Sequence, residues 1–431
     1  MTLRGSLRVL QVSGFRRYWL GQTASRFGSG LVPIATVFTV LDLTGSATRV
    51  GLVLAVGTAT EIGALLVGGV WADRLRRRTV MLVSDGVRTV SQALLAVLLI
   101  TGRAEIWHLV VLTAVHGAGQ GFFRPAAAGV IPDLVEQDRL HEANSLSNIS
   151  GSAVSIVGPA VAGALVAQVG SGVAFLVDAG TFVVSVVCLL LIHPAERPGE
   201  AGQTFLADLR DGWREIAGRS WLWVQMIWDA SNLFFVVAPL LVLGPVIAQQ
   251  SLGGATAWGT VLACLPFGSL VGGLVALRWQ PRRPLLAAAL ILAPGYAAPA
   301  AALALRQDLL VVAAAEFCSG VAVTLALTNW TTALQQHVPP AKLSRVSSND
   351  VLLSSALLPL GYAVAGPVSE GIGVTGTLWV SVAWTLTTAP LVLCVPGIRG
   401  LRSAPPGNSA PAVATVGAER GDALADDPPS S

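Results

Sequence analysis

The chain has 431 residues, of which 53% are hydrophobic and only 12% charged, with a formal net charge of +3. A soluble domain carries about a quarter charged residues to keep its surface wetted. The composition therefore excludes an ordinary soluble enzyme or nucleic-acid-binding protein and points to a surface that faces lipid.

Apolar runs long enough to cross a hydrocarbon core of ~30 Å recur twelve times. They lie near 17–41, 48–72, 78–101, 106–130, 144–168, 172–192, 221–248, 256–277, 284–305, 308–335, 349–370 and 374–396. The first lacks a small-residue cleavage site behind a short core, so it is expected to stay as a span. Between the second and third runs stands a dense knot of charge, Gly69-Val-Trp-Ala-Asp73-Arg74-Leu-Arg76-Arg77-Arg78, which reads as a tight hairpin. Of the 27 basic residues, three (Arg49, Arg103, Arg306) fall on one set of loops and three (Arg26, Arg88, Arg124) inside spans. All the rest fall on the opposite loops and the two chain ends, and such asymmetry predicts cytoplasmic termini. Arginine outnumbers lysine 26 to 1, Lys342 being the single lysine, and with so much Ala, Gly and Val this suggests a GC-rich bacterial genome; the expected location is the bacterial inner membrane. Cys188, Cys264, Cys318 and Cys394 lie apart inside apolar runs and read as buried thiols, with no disulfide or metal-binding spacing.

The two halves echo one another. Gly158-Pro159…Gly163 in the fifth span recurs as Gly366-Pro367…Gly371 in the eleventh, and Gly69…Arg74…Arg78 recurs as Gly273…Arg278…Arg282. A six-plus-six duplication is the mark of a transporter whose halves rock about a central site. The expected organisation is a bundle over 1–192, a cytoplasmic linker over 193–220, a second bundle over 221–396 and a disordered tail over 397–431. Within the linker, Phe205, Leu209, Trp213 and Ile216 recur at helical spacing, which suggests a helix lying on the membrane surface.

The 69–78 loop resembles the signature of the major facilitator superfamily between its second and third spans: Gly69, Asp73, Arg74, Arg77 and Arg78 match, and Arg76 stands where many members keep glycine. Gly158-Pro159 resembles the superfamily's span-five exporter motif. The run Phe122-Phe123-Arg124-Pro125-Ala126…Ile131-Pro132-Asp133-Leu134 is similar to the macrolide-efflux and enterobactin-exporter branch, whose members are drug:proton antiporters. The resemblance implies an all-α membrane protein of twelve helices in two pseudo-symmetric six-helix bundles. It implies no cofactor and no enzyme activity, and a small-molecule substrate, protons as coupling ion and membrane lipid as partners, without nucleic acid. A span-four arginine common in proton-coupled members is missing; His116 and Gly117 occupy that neighbourhood.

Charge inside a bilayer is costly unless paired or facing water, so each intramembrane ionisable group is a functional candidate. Arg26, Glu61 and Asp229 fall at similar depth and are expected to form a titratable cluster on the central cavity; the alternative is a static pair of Glu61 with Arg26 or Arg88. Asp85 and Arg88, at i, i+3, read as a structural pair. The resemblance makes spans one, four, seven and ten line the cavity. It thereby nominates Gln22, Ser25 and Ser29; His116 and Gln120; Asn232, Phe234 and Phe235; and Glu316, Thr328, Asn329 and Trp330. Trp19, Trp221 and Trp223 read as interfacial anchors, and His116 alone makes no metal site. Gly69, Asp73, Arg74, Arg77 and Arg78 are expected to act as a conformational latch, or only to set topology. Gly158, Pro159, Gly163, Gly366 and Pro367 are expected to allow close, bent packing of spans five and eight or two and eleven. The favoured reading is a proton-driven exporter of small hydrophobic or amphipathic compounds. The alternatives are a nutrient importer or exchanger and a non-transporting sensor. No Gly-x-x-x-x-Gly-Lys-Ser/Thr loop is present to bind ATP.

Overall fold

A computed structural model describes residues 8–72, 76–192 and 213–403. The described residues are helical throughout, without strands. The helices of membrane length are α1 (Ser13–Thr44), α2 (Ala47–Ala72), α3 (Arg77–Ile100), α4 (Ile106–Ala128), α5 (Leu140–Val169) and α6 (Ser171–Leu190). The second half repeats them as α7 (Ser220–Leu252), α8 (Gly254–Ala276), α9 (Pro284–Ala304) and α10 (Leu309–His337). A last rod, Pro340–Leu393, is 54 residues long, too long for one span, and it breaks at Gly373, where φ is 79°. Only glycine adopts that backbone without strain, so the rod is two helices, α11 (340–372) and α12 (374–393). Among the described residues, ten helical stretches are long and apolar enough to cross a membrane, this rod counting as one. The more polar α4 and the Gly373 break bring the total to the twelve expected.

Packing repeats with the sequence. In the first half α1 packs on α5 and α6, α2 on α4, and α3 on α4 and α6. In the second, α8 packs on α10 and α9 on α10. There α7 meets α11 where Gly361 abuts Phe234 and Ala238, and it meets α12 where Trp228 Nε1 donates to Thr388 Oγ1 over 3.0 Å. Lipid gives no hydrophobic push between helices, so close approach of small residues does much of this work. Gly117 and Gly121 of α4 lie against the Gly57 and Glu61 backbone of α2, and Gly268 and Gly320 serve the α8–α10 pair in the same way.

The two halves meet toward one end, the end remote from the chain termini. One apolar core spans both halves there and includes Phe38, Val50, Val166, Val242, Trp258 and Tyr362. The other large cores stay within one half: Met81, Phe123 and Leu189 in the first, and Met226, Leu285 and Trp330 in the second. Helix α7 is the irregular member. Regular α-helix over Ser220–Asn232 gives way to a π turn at Leu233–Val237, and a second π turn follows at Ala248–Leu252. Such turns add a residue to one helical turn, and they cluster at functional sites.

Candidate functional site

The seam between the halves is built from residues without side chains. Gly163 of α5 lies on the Ala255 carbonyl of α8, and Gly259 of α8 lies on the Pro159 carbonyl; a methyl group at either would overlap backbone. The related seam sets Gly366 of α11 on Thr48 of α2, and Gly51 of α2 on the Tyr362 carbonyl. Gly158 belongs to a different contact, facing Gly30 of α1. Polar bonds close the same end: Gln249 Nε2 donates to Asp42 over 3.1 Å, and Thr48 Oγ1 donates to Glu370 over 2.6 Å.

Inside the first half lies a cation-centred network. Arg88 of α3 is 2% exposed and pairs with Asp85, itself fully buried, while also donating to Gln120 Oε1 of α4. Its guanidinium lies between the Phe123 and Phe182 rings, 4.3 Å from each centroid. Ser185 of α6 donates to the other Asp85 oxygen over 2.7 Å. Asp178 of α6, also fully buried, accepts 2.8 Å from Gln92. Gly28 of α1 permits this arrangement, since a side chain there would strike Asp178 and Thr181. Every carboxylate here lies within reach of the charge on Arg88.

The second half holds carboxylates without a cation. Asp229 of α7, four residues before the π turn, accepts from Gln225 Nε2 at 3.1 and 3.2 Å. Glu316 of α10 is 3% exposed, and one of its carboxyl oxygens has no partner. Asp350 of α11 accepts 2.8 Å from Trp330 Nε1. Between residues 220–277, 284–305, 309–336 and 346–398 the chain has no Arg, Lys or His.

Arg26, Glu61 and Asp229 are engaged separately rather than as one cluster. Arg26 is exposed and donates 3.0 Å to the Ser147 carbonyl of α5. Glu61 pairs with Arg124 over 3.1 Å, not with Arg26 or Arg88. The cause is the α2–α4 seam: Gly121 sits on the Glu61 backbone and brings Arg124, almost one helical turn on, beside the carboxylate.

The nominated cavity residues divide in the same way. Gln120 is committed to Arg88, and His116 packs 5.8 Å from the Phe182 ring with Nδ1 unpartnered. Gln22 and Ser25 are buried, Ser29 is half-buried, and Thr328 is exposed. Asn232 is buried with Oδ1 unpartnered, and Asn329 is buried beside Trp330 on α10. Phe234 meets Phe235 edge-on, and Phe235 stacks 4.0 Å from Trp384 of α12. Trp221, expected at the interface, is instead buried against Trp330; Trp223 is exposed, and Trp19 donates to Ser150.

Of the loop residues, Gly69 lies in α2, while Asp73 and Arg74 lie outside the described residues, as do Phe205 and Leu209 of the linker. Arg77 donates to the Gly129 carbonyl and pairs with Asp133 over 3.2 Å. Arg78 donates to the carbonyls of Leu189 and Leu190 over 2.8 and 2.7 Å. It thus supplies donors and positive charge where α6 ends in free carbonyls. All these bonds stay within the first half. Trp213 is exposed and Ile216 is buried against the second half, where Glu215 bridges Arg219 (2.7 Å) and Lys342 (2.6 Å). The Lys342 hydrogen bond holds the Glu215 carboxyl below the usual carboxylate range.

Asp178, Tyr296 and Asp350 drew no attention from sequence. Asp178 and Asp350 were visible as acids in or beside apolar runs.

The model of the Major Facilitator Superfamily matches residues 18–349. Macrolide efflux protein A of Streptococcus pyogenes is 22% identical over 387 residues, covering 88% of this chain and 94% of its own. The enterobactin exporter EntS of Shigella boydii is 28% identical over 270 residues, covering 61% and 62%. The fold is similar to that of a bacterial homologue of the human lysosomal transporter Spinster, inward-facing and unoccupied. That match has a TM-score of 0.72 and 16% identity, and covers 91% of this chain and 98% of that one.

Proposed function

Because the chain belongs to the Major Facilitator Superfamily, we propose that it is a secondary-active exporter of small amphipathic or hydrophobic compounds, driven by proton antiport. The observation that carries this reading is the one-ended seam. The halves touch through bare backbone at the end remote from the termini. Toward the other end, Arg26, Arg124, Ser152, Ser155 and Thr328 are exposed on membrane-length helices. Exposed charge within a span belongs to water rather than to lipid. With both termini in the cytoplasm, as the arginine bias requires, this is the inward-open state of a bacterial inner-membrane pump with its outer gate shut. The bundles over 1–192 and 221–396 are the rocking bodies, and the 193–220 linker joins them.

In this reading Asp229 carries the coupling proton, and Glu61 and Arg26 tune the cavity that the substrate enters. Gln22, Ser29, His116, Gln120, Asn232, Phe235, Glu316, Asn329 and Trp330 supply polarity and rings around it. The conformational latch is Gly69, Asp73, Arg74, Arg77 and Arg78. The bonds from Arg77 and Arg78 to helix-end carbonyls and Asp133 hold the loop in the open state and exchange partners when the inner end closes. The substrate class is supported by the names of the efflux relatives. The test is efflux of a compound panel from cells carrying the protein or its Asp229→Asn variant, with and without a protonophore. Efflux that depends on the proton gradient and vanishes in the variant at equal protein level is expected. Efflux indifferent to the gradient removes proton coupling, and import of the panel reverses the direction.

A further inference from the structure

The two halves use the arginines at the end that bears the chain termini differently. In the first half they bond to the ends of helices. Arg17 donates to the Leu191 carbonyl over 2.7 Å, Arg78 to the carbonyls of Leu189 and Leu190, and Arg77 to the Gly129 carbonyl and Asp133. In the second half five arginines stand exposed: Arg278, Arg282 and Arg283 on the turn between α8 and α9, and Arg399 and Arg402 beyond α12. None of the five has an ion pair or a side-chain hydrogen bond among the described residues.

Main-chain bonding explains the difference. The sequence repeat sets Arg282 where the first half has Arg78. There the Arg78 side chain ties the start of α3 to the end of α6. In the second half Ser403 makes the corresponding tie: its amide donates 3.1 Å to the Arg282 carbonyl, and its hydroxyl donates 2.9 Å to the Pro281 carbonyl. The turn is held through its backbone, and the Arg282 guanidinium is left over. A short helix, Pro396–Gly400, brings two more arginines alongside. Ile398 is fully buried and Leu401, three residues on, is partly buried against the cluster of Trp221, Leu222 and Leu285. Arg399 and Arg402, each one position further along, face outward.

Beside these cations the end of α8 is apolar and uncovered. Leu274 and Trp279 are exposed, and Leu277 is 74% exposed. A tryptophan at a span end belongs at headgroup depth. No Asp or Glu occurs over residues 252–307 or 371–403, and Glu215, just before α7, is engaged by Arg219 and Lys342. A guanidinium grips phosphate oxygens through two parallel N–H donors, and basic clusters next to a span attract anionic lipid. We propose that this surface is a binding site for an anionic phospholipid in the leaflet on the side of the chain termini. Arg282, Arg399 and Arg402 hold the phosphate, and the acyl chains lie along Leu274 and Leu277. Those apolar neighbours are what select a lipid over a free anion. The site goes beyond the transport reading and takes from it only the membrane placement.

The test uses the full-length protein in neutral detergent, titrated with dioleoyl phosphatidylglycerol or dioleoyl phosphatidylcholine, with bound lipid counted by native mass spectrometry. Phosphatidylglycerol is expected to bind at least tenfold more tightly than phosphatidylcholine. Arg282→Gln/Arg399→Gln/Arg402→Gln is expected to weaken it at least tenfold. Arg49→Gln/Arg103→Gln/Arg306→Gln, which removes equal charge at the other end, should weaken it less than twofold. The lipid-free melting temperature of the first variant should match wild type, because its arginines bond to nothing in the protein; a drop overturns the site by showing them engaged within the fold. Equal binding of phosphatidylcholine, or equal loss in the second variant, also overturns it. Displacement of the lipid by millimolar inorganic phosphate makes the surface a free-anion site and overturns the lipid. Lipid that binds only after the chain is cut behind Ser403 assigns the surface to residues 404–431, with Glu419, Asp422, Asp426 and Asp427, and overturns it too. Efflux that ignores the proton gradient leaves every one of these results unchanged, so the transport reading and the lipid site fail separately.

Discussion

The two halves share a plan and differ in one buried charge. In the first, Arg88 is held by Asp85, Gln120 and two aromatic rings, so a cation is fixed among acids. In the second, Asp229 accepts from Gln225, Asp350 from Trp330, and one Glu316 oxygen has no partner, with the basic residues of α10 and α11 confined to their inner ends at His337, Lys342 and Arg345. Arg88 offsets part of the cost of burying charge on Asp85, whereas no ion pair joins Asp229 or Glu316 among the described residues. The sequence echo between the halves therefore does not extend to their buried charges: the first half fixes a cation among its acids, and the second half's buried acids have none paired with them among the described residues.

The sharpest way to break this comparison is to remove the strut. Arg88→Gln leaves Asp85 buried without its cation and discards both ring contacts. Breaking one side of such a pair costs about 3–5 kcal/mol. Loss of folded protein on thermal size-exclusion is expected, with partial rescue in Asp85→Asn/Arg88→Gln; a stable single variant makes the contrast meaningless. The seam comes next. Gly163→Leu or Gly366→Leu drives a side chain into backbone at Ala255 or Thr48. Transport is expected to fall more than tenfold while cysteine pairs across the outer end lose cross-linking. Gly158→Leu, which meets only Gly30, spares that cross-linking while disturbing α1 against α5.

On the other side of the comparison, Asp229→Asn and Glu316→Gln replace acids that no cation pairs with by neutral amides of similar size. The melting temperature should hold or rise while transport is lost, the reverse of Arg88→Gln. The smallest effect belongs to Glu215, which ties the end of the linker to Lys342 at the surface. Because its folded-state pKa is lowered, the tie contributes at neutral and mildly acid pH and is lost only as pH falls through that lowered value. Glu215→Gln should lower the melting temperature slightly at pH 7, and the difference from wild type should vanish in strong acid.

Much of the site was legible in part. The Asp85–Arg88 pair follows from i, i+3 spacing, and the glycine seam follows from the repeated Gly-Pro element, though Gly158 itself turned to α1 rather than across the seam. Depth counting put Arg26, Glu61 and Asp229 at one level, but depth says nothing about azimuth. Glu61 found Arg124 because Gly121 brings α4 against α2. Trp221 looked like an anchor from its place at a span end, yet Trp330 gave it an aromatic partner inside the bundle.

Local chemistry, readable in order along the chain, determined that this protein is helical, lipid-embedded, twelve-spanned and duplicated. A hydrocarbon core demands apolar runs of one length, and an inherited repeat keeps its offset. Which way each helix turns its polar residues was decided only by tertiary structure. Rotation about a helix axis is set by neighbours from distant sequence, here glycines that admit one backbone against another. Those rotations gave Arg88 a carboxylate and two rings, and left Asp229 with Gln225 and Glu316 with one oxygen unpartnered.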